Sequence, residues 1–362
     1  MYEQASASGE VGAGLQLAPN CTRILDRYGL LAEASALGVL PETMVMKDAL
    51  DAAELTRLDL RDVERRYGHP YLVIHRSDLH GILLRACERA GVELLTDARC
   101  TWYENVDGGA RVRFADGVVD EADVVIAADG LHSIARELLV QDEPVNSGHV
   151  AYRCAVPFEQ VAGNDVHDKD VVVYVGPRCH FVQYPLRGAE TFNQVAVFES
   201  PKALAGQDDW GTPDELDAAF AGTCAQVQQG LPLMWRDRWR RMFDRDPIVT
   251  WVTGRIALLG DAAHPPLQYM AQGAIMAIER DVHDYSFVDW IFGPTALTPE
   301  DEPEMFRPIP WTPPRCEPLP ARKAGRTSGL AGQGVPRGVQ RSRAQHRDEG
   351  DHDLFLKLGP LA

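Results

Sequence analysis

The stretch RIALLGDAAHPPLQYMAQGAIMAIER, Arg255 to Arg280, decides how this chain is read. Arg255 to Gly260 is an apolar run with the composition of a strand, and it delivers Asp261 to its C-terminal end. A helix is predicted to begin near Gly273, after a turn carrying Pro265 and Pro266. In open α/β sheets ligands bind beyond that end of the strands. A carboxylate there can accept hydrogen bonds from ligand hydroxyls. The free N–H groups of Gly273 and Ala274 can stabilise negative charge by about 0.3–2 kcal/mol. A strand followed by Gly-Asp is a weak signal, whereas the full run with His264, Pro265, Pro266 and Gln272 is specific.

Outward from this stretch, the buried-type run Ala122 to Ala128 ends in Asp129-Gly130 and feeds a helix predicted to be capped at Ser133. Ser77 reads as the N-cap of another helix, with Leu79, Leu83, Cys87 and Ala90 at helical spacing and Gly91 as its stop. The first thirty residues read as a strand end, a turn with Gly9, Gly12 and Gly14, and a helix from Asn20 to Tyr28. Strands are predicted at Ala98 to Glu104 and Arg111 to Ala115. From Gly148 to Phe198 four more, Tyr152–Val156, Val171–Val175, His180–Tyr184 and Gln194–Phe198, suggest a separate sheet. A helical stretch rich in tryptophan (Trp235, Trp239, Trp251) leads back to the opening motif.

Residues 1–147 and 251–281 are therefore expected to form one nucleotide-binding domain and 148–250 an inserted β-rich substrate domain. Residues 294 to 320 hold nine of the 24 prolines and 321 to 347 are basic and poor in apolar residues. Residues 282–362 are accordingly expected to be mostly irregular, since such a composition cannot offset its ordering entropy.

With 362 residues, 45% hydrophobic, the chain can build two domains. Neither a signal core nor a run of about 18 apolar residues is present, so a cytoplasmic protein is expected. The net charge of −17 disfavours nucleic acid and anionic membrane as partners. A small anionic substrate would face the same field and would need a local positive element to be held. Seven scattered cysteines without a CxxC pair suggest neither disulfides nor a metal site.

The opening stretch resembles the GD motif of the group A flavoprotein monooxygenases, and ADVVIAADGLHSIAR, Ala122 to Arg136, resembles their DG motif. GEVGAGLQLAPN (Gly9 to Asn20), YVGPRCHFVQYPLRG (Tyr174 to Gly188), NQVAVFESP (Asn193 to Pro201) and HPPLQYMAQGA (His264 to Ala274) are most similar to the 3-hydroxybenzoate 6-hydroxylases of that family. The resemblance spans about residues 2 to 280. It implies an α/β fold, with a Rossmann-like FAD-binding domain (here incomplete) and an inserted, mostly β substrate domain. It also implies FAD as cofactor, NADH or NADPH as co-substrate, and a small aromatic carboxylate and O2 as substrates. A homodimer is compatible with it. By the same resemblance Asp129 supports the FAD pyrophosphate region, Arg76 contacts FAD, Asp261 takes the ribityl chain, and Gly273 and Ala274 face the flavin ring. His180, Tyr184 and Gln268 match residues that engage the substrate.

Period two puts His180, Val182 and Tyr184 on one strand face, and two polar rings there suggest a wet pocket. Oxygen insertion into a phenol needs an electron-rich ring. A neutral histidine accepting the phenolic proton would supply it near neutral pH, with Tyr184 bonding the same oxygen. Each residue also has a structural reading: Asp129 as a turn residue, Arg76 as a solvated helix start, His180 and Tyr184 as core, Gln268 as a loop cap.

The chain departs from the family at its ends. Members begin with a βαβ unit carrying GxGxxG, followed after roughly 20 residues by an acidic residue for the ribose. Only that acidic residue, Glu3, has a counterpart here. An N-terminally shortened member with a divergent C-terminus is therefore expected. The expected function is FAD-dependent conversion of 3-hydroxybenzoate to 2,5-dihydroxybenzoate. The alternatives are salicylate or hydroxynicotinate hydroxylation, or a non-catalytic remnant that does not bind FAD.

Overall fold

In the computed structural model, which describes residues 1–6, 14–163, 166, 168–283 and 354–358, Ile256–Leu258 lies parallel to Val124–Ala128, with Leu258 opposite Ala127. Parallel neighbours end at the same edge of a sheet, so Asp129 and Asp261 leave it side by side. The helix Gly273–His283 follows and packs on Pro19–Arg27. This five-stranded sheet runs in the order Tyr2–Glu3, Leu354–Leu358, Val124–Ala128, Ile256–Leu258, Val252–Thr253.

Within the stretch expected to be mostly irregular, Leu354–Leu358 forms a strand. It pairs antiparallel with Val124–Ala128 and with Tyr2–Glu3, Leu356 opposite Ile126 and Phe355 opposite Tyr2. Its sequence LFLKL is largely apolar, as an interior strand requires, but within a proline-rich, basic surrounding it carries too little signal of its own. The expectation for 284–353 lies outside the described residues.

The second sheet has seven strands in the order Arg240–Asp244, Val145–Pro157, Thr191–Glu199, Cys179–Leu186, Asp170–Gly176, Thr43–Asp48, Glu54–Asp59. The last two strands were not anticipated, and they show that this sheet is not confined to residues 148–250. Thr43–Asp48 joins by parallel pairing to Asp170–Gly176, Val45 opposite Val172. Glu54–Asp59 is exposed along its whole length, so its composition carries no inward-facing stripe.

One face of the seven-stranded sheet carries a core of Tyr152, Cys154, Phe181, Ala196 and Phe198, covered by Leu216, Phe220 and Val227. Phe220 stands edge-on to Phe181 at 6.3 Å and to Phe198 at 6.4 Å, an arrangement favoured by the ring quadrupoles. The covering helices are Pro213–Phe220 and Ala225–Gly230. The tryptophans lie beyond them, which corrects the helical reading of that stretch. Trp239 instead stacks on Tyr152, ring centres 5.8 Å apart. Gly211 and Ser200 are tied by Glu215, which accepts from Gly211 N at 2.6 Å and Ser200 Oγ at 2.6 Å.

Two caps also differ from expectation. The helix Arg76–Arg89 is capped by His75, whose ring nitrogen accepts from Ser77 N at 3.3 Å, so Ser77 lies inside the helix. Ser133 Oγ accepts from Arg136 N at 3.0 Å, but the element is the short 3-10 turn Ala135–Leu138 and its N-cap position is Ile134.

Candidate active site

Asp129 is buried, and its Oδ2 accepts from Ile134 N at 2.8 Å, Ala135 N at 3.2 Å and the Tyr103 hydroxyl at 3.4 Å. The turn role is therefore real. Its Oδ1 is also buried and has no hydrogen-bond partner among the described residues, which leaves one acceptor for a ligand. Asp261 sits in the turn Gly260–Ala262 with its side chain exposed. Gly260 makes that turn at φ +59°, a conformation open to glycine. Gly273 and Ala274 form the start of the following helix, whose first N–H groups have no intrahelical acceptor. Arg76 is exposed at the first position of its helix, and Glu3 uses Oε1 to hold Ala5 N at 2.8 Å. Two carboxylate acceptors beside a helix N-terminus suit a ligand with hydroxyls on a chain and an electron-rich ring edge.

Arg136 locks the two motifs together. It is wholly buried and donates through Nη1 to the carbonyls of Ala262 at 3.2 Å and Ala263 at 2.9 Å. Nη2 reaches Asp246 O at 2.7 Å and Asp142 at 2.9 Å, and Arg245 holds the other Asp142 oxygen at 2.9 Å. Burial alone would raise the Asp142 carboxyl; the Arg136 hydrogen bond and the two positive charges outweigh it and hold it below the usual carboxylate range.

The open face of the seven-stranded sheet is built by register. Ala151, Val197 and His180 are opposite one another across three strands; Arg153, Val195 and Val182 form the next row, and Ala155, Asn193 and Tyr184 the third. Phe181 and Gln183 turn to the other face, where Gln183 Nε2 donates to Gln194 Oε1 at 2.8 Å. His180 and Tyr184 thus share a face, as expected, but four residues of strand separate their Cα atoms by about 13 Å. The two rings are thus spaced along the face, one strand row (Val182) lying between them. Tyr184 is only 2% exposed, so that end of the face is dry and not wet.

Around His180 lie two further rings: Tyr269 at 5.7 Å, itself edge-on to His149 at 5.6 Å. Burial, followed by the neighbouring His149, pushes the His180 imidazole down to about 4, so it is neutral at neutral pH. At the Tyr184 end, Arg153 Nη2 approaches Gln268 Oε1 at 3.5 Å, and burial raises the Tyr184 phenol. Arg153, Asn193, His149 and Tyr269 were missed from sequence. The signal for Arg153 was a lone charge between Tyr152 and Cys154 in an otherwise apolar strand.

Gly14 closes this end. Its N–H donates to Asn193 Oδ1 at 3.0 Å, and a Cβ there would lie within 2.4 Å of the Tyr184 ring. Gly14→Val is expected to destabilise the fold by about 1–3 kcal/mol through overpacking and to displace Tyr184. An unchanged melting temperature would show that the ring yields without cost. Among the described residues no group of three or more His, Cys, Asp or Glu could hold a metal ion, and no helix is long and apolar enough to cross a membrane.

Residues 3–285 match the family model described as FAD binding domain. The 3-hydroxybenzoate 6-hydroxylase of Polaromonas naphthalenivorans is 40% identical over 286 residues, covering 78% of this chain and 71% of the relative. The 6-hydroxynicotinate 3-monooxygenase of Bordetella bronchiseptica is 36% identical over 314 residues, covering 85% and 79%. Among solved structures, Klebsiella pneumoniae HpxO complexed with FAD and uric acid superposes with a TM-score of 0.68 at 24% identity, over 78% of this chain and 71% of that one.

Proposed function

The chain belongs to the FAD-binding aromatic monooxygenases, and we propose that it hydroxylates 3-hydroxybenzoate to 2,5-dihydroxybenzoate, consuming NADH or NADPH and O2. The observation that carries this reading is the sheet face bearing His180 at one end and Arg153 and Tyr184 at the other, beneath Gln268 of the GD loop. Such a face suits a ring with a phenol at one end and a carboxylate at the other.

The residues present fit the cofactor at its ring and ribityl end. Asp261 offers an acceptor to the ribityl hydroxyls, Gly273 and Ala274 offer N–H groups to the ring, and Asp129 Oδ1 is a buried acceptor still unsatisfied. Arg76 and Glu3 complete the set as a phosphate-side cation and a ribose-side carboxylate. When bound, FAD supplies the redox chemistry. The protein's own work is to orient the ring, exclude water and hold the phenolic proton. His180, neutral and buried, accepts that proton, while Gln268 and Tyr184 fix the ring's position. The enzyme would work in the cytoplasm on small molecules, with a homodimer compatible with the fold.

A second reading, hydroxylation of a hydroxynicotinate, is favoured by the longer span of the Bordetella relative, 85% of this chain. Titration of the purified chain with FAD, followed by flavin fluorescence, is expected to show saturable binding. Product identification with 3-hydroxybenzoate, salicylate and 6-hydroxynicotinate is then expected to give 2,5-dihydroxybenzoate from the first. Failure to bind FAD would replace this reading by that of a non-catalytic remnant, and turnover of another ring alone would reassign the substrate.

A further inference from the structure

Three buried nitrogen donors on the open face have no acceptor among the described residues: Arg153 Nε, Gln268 Nε2 and Asn193 Nδ2. They come from three elements that meet only in the tertiary fold. Arg153 lies on Val145–Pro157, Asn193 on Thr191–Glu199, and Gln268 on the turn Gln268–Met270. Register puts Asn193 one row along from Arg153 on the neighbouring strand, within reach of a long side chain. Gln268 is joined to Arg153 through its Oε1, and this same contact aims the amide nitrogen away from it.

Unsatisfied donors without a matching acceptor call for an anion. Arg153 makes no ion pair with any carboxylate of the described residues, and the charges felt there besides Tyr184 are those of Arg76 and Arg240. A largely buried guanidinium without a counter-ion, in a chain of net charge −17, is costly unless a ligand completes it. Burial, reinforced by those two arginines, lowers its proton affinity, yet a guanidinium keeps its charge at neutral pH.

We infer that Arg153, Gln268 and Asn193 form the carboxylate-binding end of the substrate site, with Arg153 selecting aromatic acids over neutral phenols. This rests on the proposed aromatic hydroxylation and deepens it. A planar carboxylate can take two N–H groups of a guanidinium, and the Gln268 and Asn193 amides and the Tyr184 hydroxyl surround the same place. The ring then extends along the sheet towards His180, two strands across and two residues along.

The test is isothermal titration of the FAD-loaded chain with 3-hydroxybenzoate, salicylate and 6-hydroxynicotinate, each beside its methyl ester, repeated for Arg153→Met and Arg153→Lys. The wild type is expected to bind one acid well above its ester. Arg153→Met should weaken that acid by about 10- to 100-fold, the range for a charge-assisted hydrogen-bonded pair, and weaken the uncharged ester by several-fold at most, since its carbonyl accepts only a neutral hydrogen bond. Arg153→Lys should lie between, because it keeps the charge but loses the planar fork. Retained ester binding also reports that the variant is folded. The inference is overturned if Arg153→Met binds the acid as the wild type does, if both variants lose acid and ester equally, or if the wild type prefers no acid to its ester. Which ring is preferred separately decides the 3-hydroxybenzoate reading, so the two can fail independently.

Discussion

Replacing His180 by alanine is expected to lower hydroxylation by about 10²-fold or more, the range for losing a positioned general base, while reduction of FAD by NAD(P)H continues unchanged. The residue stands beside Tyr269 on the seven-stranded sheet, whereas Asp129 and Asp261 follow strands of the five-stranded one, so its loss should not disturb the cofactor's own contacts. Equal loss in both half-reactions would point to a disrupted fold, and a full-rate variant would remove His180 from the mechanism. Its titration gives a second handle. With the imidazole at about 4 instead of 6.5, the proton acceptor is available throughout the mildly acidic range. The acid limb of the rate should therefore fall below about pH 5. An acid limb centred near 6.5 that disappears in the variant would contradict the burial seen here.

The same depression makes a stability statement. Between pH 4 and 6.5 the unfolded chain binds a proton at His180 that the folded chain does not, so stability rises with pH across that window and is lost as pH falls through it. His180→Ala should flatten that stretch of a stability-against-pH curve.

Arg136→Met is expected to cost about 3–5 kcal/mol, the range for removing one partner of a buried pair and stranding the other. For a chain of this size, that corresponds to a fall in melting temperature of roughly 10 °C. The reason is the number of groups it serves at once: the carbonyls of Ala262, Ala263 and Asp246, and the carboxylate of Asp142. Methionine fills the volume and satisfies none of them. Because Ala262 and Ala263 directly follow Asp261, FAD affinity should fall with stability. Asp142 adds an acid signature. Its carboxyl is held low, so its contribution is complete above the ordinary carboxylate range and is lost as pH falls through its depressed value. The wild type should therefore destabilise on acidification more steeply than the variant, as read by thermal melts at a series of pH values.

The sequence by itself determined whatever depends on neighbours along the chain. The runs ending at Asp129 and Asp261, the helix start at Gly273 and the shared face of His180 and Tyr184 follow from local composition and from the period of two, and all are present in the structure. Even the short strand Ile256–Leu258 is found where the apolar run placed it. Capping was legible only approximately: the N-cap is His75, whose ring accepts from Ser77 N, two residues before the serine expected to cap the helix.

Tertiary structure alone decided the rest. Thr43–Asp48 becomes a strand because Asp170–Gly176, more than a hundred residues away, offers a parallel partner; its own sequence gives no clear alternation. Leu354–Leu358 enters the first sheet for the same kind of reason, between two strands remote in sequence. The donors Arg153, Asn193 and Gln268 are unremarkable singly, and they become a site only when cross-strand register and the GD loop bring them together. Hydrogen-bond deficits of buried groups are properties of the assembled fold, since every one of these groups is satisfied by water in the unfolded chain.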